Sequence, residues 1–256
     1  MKSSEMRTGG MSRPFACRTK AACRVVCSIA ALVTFAALAS AAQRDPIYPL
    51  SEGTTWSYAG RAKWMNTDVP GVRSGNLRWT TEIVKTFSAP GLTAAVIKGF
   101  PFELAWYNPK TTPGFTVLVE NGKGLFEADA DSEAEGETLA AKASRGQEVG
   151  ELLLKFPVHV GDCVAAEGTD SPELLAAHMY CWFVSKEVKG SSGRGWEIFQ
   201  HTGPDDMTFR IVPGVGITSF VYNHHGTVAY TDARLVAFHS PHKRADGSLA
   251  DRSDRD

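Results

Sequence analysis

From Thr54 onward, short apolar-rich runs alternate with Gly, Pro or Asn roughly every ten residues. The runs favour Val, Ile, Thr, Phe, Tyr and Trp, the β-branched and aromatic residues that suit a pleated surface. They predict strands over Thr54–Arg61, Leu77–Phe87, Leu92–Lys98, Glu103–Tyr107, Phe115–Glu120 and Gly124–Ala128. A second group follows at Cys163–Glu167, His178–Val188, Gly195–His201, Met207–Val212, Ile217–Asn223 and Thr227–Phe238. No stretch sustains a 3.6-residue apolar period for long. The best helical candidates are Glu137–Ala143 and Pro172–Ala177, the latter with Ser171 as cap and Pro172 at the first helical position. Connections this short rule out crossovers, so the expected class is all-β: a curved, mostly antiparallel sheet or half-barrel with few short helices.

Several strands are apolar on both alternating faces. In Met179–Val184, Met179, Cys181 and Phe183 face one side, and Tyr180, Trp182 and Val184 the other. Such a sheet must be covered twice, by a helix, a second sheet or a ligand. With helices scarce, the pattern points to an apolar concave face left open for a hydrophobic guest; a closed barrel or sandwich with an ordinary core is the alternative. Trp56, Trp64, Trp79, Trp106, Trp182 and Trp196 all fall in or beside strands. Of these, Trp79, Trp106 and Trp182 are the candidate ligand contacts, because an indole offers a large apolar face.

The ends and the middle break this pattern. Residues 1–41 carry Arg13, Arg18, Lys20 and Arg24, then the uncharged run Val25–Ala39, then the small residues Ala39-Ser40-Ala41-Ala42. That succession predicts a cleaved export signal, and its apolar run is shorter than the about 20 residues a membrane-spanning helix needs. The remaining chain is expected to be one β domain over 42–239, periplasmic or extracellular, with no stable membrane anchor after cleavage. Residues 127–150 place Glu127, Asp129, Asp131, Glu133, Glu135 and Glu137 at alternate positions, which predicts a solvated acidic insertion. A calcium loop would need a glycine and a terminal glutamate that this alternation lacks. The tail 240–256 has almost no apolar residue and is expected to be disordered.

The whole chain is −1 and the leader +5, so the exported part is near −6. No basic run is long enough to grip nucleic acid or an anionic membrane. Three of the five cysteines lie in the leader, leaving Cys163 and Cys181 to form one disulfide in an oxidising compartment. Nucleophile signatures fail: Gly190-Ser191-Ser192-Gly193-Arg194 lacks the last glycine of a G-x-S-x-G elbow, and no H-E-x-x-H or C-x-x-C occurs. No cofactor is expected. The densest set of ligand-type residues is His201, Asp205, Asp206, His224, His225 and Asp232, which could hold zinc and activate water. Yet His224 and His225 are adjacent, so on a strand they point to opposite faces, and both they and Asp205-Asp206 read equally well as turns.

The segment Tyr48-Pro49-Leu50-Ser51-Glu52-Gly53 before a strand echoes in Phe156-Pro157-Val158-His159-Val160-Gly161 before another. Proline fixes φ and glycine permits a tight turn, so each is a strand entrance. Two entrances, each followed by a meander, predict two related halves on one continuous sheet. These motifs, with Phe209-Arg210-Ile211-Val212-Pro213-Gly214-Val215-Gly216-Ile217 and the closing ARLVAF, resemble a family of bacterial secreted β-domain proteins of unknown function. That family in turn resembles the periplasmic lipoprotein-carrier half-barrels. The likeness covers most of Tyr48 to Phe238 and implies a curved sheet whose concave face holds acyl chains. It transfers no catalytic residue. Cys163, after the second entrance, and Cys181, in YCWFV, depart from the family pattern. The resulting expectation is an exported, non-enzymatic protein that binds a hydrophobic or amphipathic small molecule or a cell-envelope component. A protein-interaction module and a metal-dependent hydrolase using the late His and Asp residues are the alternatives.

Overall fold

The computed structural model describes residues 46–65, 71–166, 168–169, 171–190, 192–226 and 228–241. The expected export signal and all but the first two residues of the expected tail lie outside them.

Among the described residues, one antiparallel sheet of 12 strands carries the fold. The first meander is β1 (Thr55–Met65), β2 (Val72–Ala89), β3 (Leu92–Lys98), β4 (Phe115–Asn121), β5 (Gly124–Ala130) and β6 (Glu151–Lys155). The second is β7 (Cys163–Ala165), β8 (Cys181–Gly190), β9 (Gly193–His201), β10 (Asp205–Val212), β11 (Gly216–His224) and β12 (Ala229–His239). Pairing of β1 with β12 joins the meanders, and the outer strands β6 and β7 come alongside each other, so the sheet curls into a nearly closed barrel. Each proline entrance opens one meander, as the internal echo predicts. In both, the second strand carries one extra residue against the third: Val84 in β2 and Ser185 in β8. A bulge increases local twist and bends the strand, which is what closure demands.

Strand β6 escapes prediction because its apolar core is only Leu152-Leu153-Leu154 between charges. The acidic stretch completes β5 and then forms helix α1 (Glu133–Ser144), which contains the predicted helix Glu137–Ala143 and extends it by about one turn at its start. Ser132 caps the helix by accepting from the Glu135 amide, Glu135 reaches back to the Asp131 amide at 2.9 Å, and acids in a first turn favour the helix dipole. Ala140 and Ala143 pack the helix on the outer face of β3 and β4, against Ala94, Val96, Val117 and Val119. Gly136 permits the approach, since a Cβ there would stand 2.9 Å from Val96. One helix thus covers the second apolar face of this half. Helix α2 (Pro172–Ala176) forms where predicted.

The inner face is filled as well. Glu103–Tyr107, expected as a strand, is instead part of a plug between β3 and β4 that begins with a 3-10 turn at Pro101–Leu104. The Glu103 carboxylate accepts from the amides of Phe100 (3.0 Å) and Gly114 (2.7 Å), closing the segment on itself. Trp79 Nε1 and Thr81 Oγ1 donate to the Gly99 carbonyl, and Thr231 Oγ1 donates to that of Leu104. Gly99 has φ +72°, and a Cβ there would lie 2.5 Å from the Thr80 carbonyl, so this entry to the barrel needs glycine. Phe100 and Leu104 join Trp56, Tyr58, Leu77, Ile83, Phe209 and Phe220 in one continuous core.

The Cys163–Cys181 disulfide forms, with Cα atoms 5.6 Å apart, and ties the three-residue edge strand β7 to β8.

Candidate functional site

The polar groups that the sequence gathers as possible ligands meet at one mouth of the barrel. Strand β10 opens with Asp205 and Asp206, and successive residues of a strand point to opposite faces. Asp205 Oδ1 lies 2.6 Å from the Tyr222 hydroxyl and 2.7 Å from His224 Nδ1. Asp206 binds two imidazoles, Oδ1 at 2.5 Å from His201 Nδ1 and Oδ2 at 2.6 Å from His225 Nε2. The adjacent histidines thus do point apart, each serving a different carboxylate. The hairpin tips are tied by the backbone too, since the His225 amide donates to the Pro204 carbonyl at 2.7 Å.

Partial burial raises the affinity of Asp205 for its proton, but hydrogen bonds from Tyr222 and His224 outweigh this and hold its carboxyl below the usual range. Asp206 is held down in the same way by His201 and His225. Both carboxylates are therefore acceptors only, and the facing imidazole nitrogens donate. Burial and the Asp205 charge push the Tyr222 phenol well up, so it remains a donor. Because the Asp205 carboxyl is depressed by folding, its stabilisation is complete above the unfolded pKa of about 4 and is lost as pH falls through the lower folded value. Asp205→Asn is expected to lower stability by about 1–2 kcal/mol at pH 7, with the difference shrinking below about pH 4 in thermal unfolding.

Asp232 does not join the cluster. It sits opposite Arg61 on β1, and Arg234 lies 3.7 Å from its carboxylate. Among the described residues, no group of three or more His, Cys, Asp or Glu side chains converges to hold a metal ion.

The three candidate tryptophans separate. Trp79 is 6% exposed and bonded to the plug. Trp182 lies against Phe102 of the plug, rings stacked at 5.1 Å and 18°. Their apolar faces are covered by the chain itself, because the plug supplies the guest that scarcity of helices suggested was missing. Trp106 differs: it is 57% exposed and leans on His224, centroids 4.7 Å apart, and on Tyr222 at 5.6 Å. Beside it, a depression of about 410 Å³ is bounded by Lys63, Asn223, His224, His225, Val228 and Tyr230. A second, more enclosed groove of about 330 Å³ crosses the outside of the barrel over Glu197, Arg210, Ser219, Asp232 and Arg234. Sequence reasoning misses Tyr222 and Phe102. Tyr222 could have been found two residues before His224, on the same face of β11.

No protein-family model matches this chain, and neither does any curated protein. Two solved structures are similar. One is a Bacteroides fragilis protein described as exported with a YmcC-like fold, at TM-score 0.37 and 10% identity over 75% of this chain and 98% of that one. The other is a lipoprotein assignment from Parabacteroides distasonis, at TM-score 0.36 and 10% identity over 77% and 100%.

Proposed function

We propose that this chain is an exported, non-enzymatic binding domain that holds an amphipathic small molecule across the mouth of the barrel. The apolar part rests on Trp106, and the polar part reaches the depression beside Lys63, Asn223 and His225. The observation that carries this reading is Trp106: a large aromatic face turned to solvent on a segment anchored at Gly99, Leu104 and Gly114. An apolar surface beside a few fixed polar groups is the usual composition of a small-molecule site. The carboxylates and imidazoles at the rim support binding over catalysis, because they are engaged with one another. The disulfide supports export, since such links persist in oxidising compartments.

Titration of the exported chain with a fatty acid, followed by tryptophan fluorescence, tests the reading. Saturable binding is expected while the domain remains cooperatively folded. Trp106→Ala should weaken it at least tenfold, about 1.4 kcal/mol, with little change in melting temperature because the ring is exposed. Absence of saturation, or equal affinity in the variant, overturns the proposal.

A further inference from the structure

The β1–β2 hairpin gathers a feature that no contiguous stretch of sequence displays. Met65 and Val72 stand opposite each other as the last described pair of its strands and are 50% and 51% exposed. Val228, 39% exposed, precedes β12 where that strand pairs with Lys63 and Tyr230 opposite each other. With Trp106 these residues place four exposed large apolar side chains around one mouth. Ordinary soluble surfaces scatter such residues, and grouping marks a contact surface.

Behind this apolar pair stand Arg61 and Lys63 on β1, and Arg73 and Arg78 on β2, all exposed. Across the hairpin they meet no acid: Arg61 faces Asn76, Lys63 faces Ser74, Arg73 faces Trp64 and Arg78 faces Ala59. None of the four makes an ion pair among the described residues, and the Lys63 ammonium lies 5.9 Å over the Tyr230 ring. The described residues of β1 and β2 contain no Asp or Glu before Glu82. Asp232, in register with Arg61, has Arg234 beside its carboxylate. A chain with net charge −1, more negative without the six basic residues of the expected leader, thus concentrates four cations on the described strands of one hairpin. Strand β2 pairs with β3 only from Glu82 onward, so among the described residues Val72–Thr81 has β1 as its sole partner strand and the hairpin reaches past β3.

We propose that this hairpin end docks the domain on an anionic phospholipid surface. Met65, Val72, Val228 and Trp106 enter the headgroup boundary, while Arg61, Lys63, Arg73 and Arg78 keep their charges at the phosphates and lay their aliphatic stems along the apolar rim. Charge complementarity selects this partner over a neutral bilayer: cations near an anionic surface are attracted, and the attraction is screened by salt. This inference rests on export to the cell envelope and not on a ligand held at Trp106.

Flotation of the exported chain with vesicles tests it, comparing phosphatidylglycerol mixed with phosphatidylethanolamine against phosphatidylcholine alone. Binding to the anionic vesicles is expected to be at least tenfold tighter and to weaken in 0.5 M salt. Arg73→Glu with Arg78→Glu should abolish it, and Met65→Ser with Val72→Ser should reduce it severalfold. All four sites are exposed, and circular dichroism of each variant checks the fold. Fatty-acid binding should survive the charge reversals, which separates this proposal from the one above. Equal binding to both vesicle types, no vesicle binding, or unchanged binding by the charge-reversed variant overturns it. Retention on an acidic polymer without vesicle binding would assign the cations to an acidic macromolecule instead, and would also overturn it.

Discussion

Replacing Phe102 by alanine is expected to cost about 3 kcal/mol and to make the barrel interior receptive to small apolar guests. Four aromatic rings surround this side chain: Phe100 at 4.8 Å, Trp182 at 5.1 Å, Phe209 at 5.3 Å and Phe220 at 5.9 Å. Truncating a packed phenylalanine typically costs about 3–5 kcal/mol, from lost transfer energy and from the cavity left behind. Phe102 is only partly buried, which places it at the lower end. Its neighbours are held by their own strands and cannot easily collapse into the space. A cavity lined by aromatic rings stays dry and accepts an apolar molecule. Urea unfolding should therefore show a lower midpoint with unchanged slope, partly restored by saturating benzene. A loss below about 1 kcal/mol, or no restoration, would mean that the ring merely covers the core. The resemblance to half-barrel carriers implied an open concave face. In this chain Phe102 packs into that inner face against Phe100, Trp182, Phe209 and Phe220.

That plug also shows where sequence reading stops. Leu92–Lys98 is predicted to the residue because Gly91 and Gly99 bracket an uninterrupted β-branched and alanine run. Glu103–Tyr107 is also an apolar and aromatic run but forms no strand. Its backbone is organised by Glu103 accepting from Phe100 and Gly114, a contact visible only once the chain has folded. In the acidic stretch, alternating charges dominate the pattern. The packing face of α1 consists of Gly136, Ala140 and Ala143, which contribute little apolar signal. The helix start was legible in Ser132 and Glu135, and their spacing was a better guide than the charge density. At the mouth, the residue set was legible except for Tyr222. Which imidazole serves which carboxylate depends on strand register, and the same register sends Asp232 to the opposite side of the barrel wall from Tyr222 and Thr231.

Glu127→Gln is expected to stabilise the protein by about 3 kcal/mol at pH 8 and to have no effect at pH 4. Glu127 lies on β5, directly opposite Glu151 on β6, with Asp129 two residues along the same face. Burial, then the charge of Asp129, then that of Glu151, push its carboxyl up to about 7. A carboxyl whose pKa is raised by folding binds its proton more tightly in the native state than in the unfolded one. Stability is therefore undiminished below the unfolded value of about 4.5 and falls as pH rises from there through about 7. Raising the carboxyl from 4.5 to about 7 corresponds to about 3 kcal/mol, and glutamine removes that penalty while keeping the shape. Glu103 and Glu120 are also raised by burial, but each accepts two backbone amides, so their replacement would cost hydrogen bonds as well. The Glu127 carboxylate has no such donor among the described residues, which makes it the cleaner substitution. Denaturant unfolding of both proteins at intervals from pH 4 to 8 should give curves that coincide in acid and diverge between about pH 5 and 7. Parallel curves across that range would show that the Glu127 carboxyl titrates alike in the folded and unfolded chains, and that water reaches it between β5 and β6.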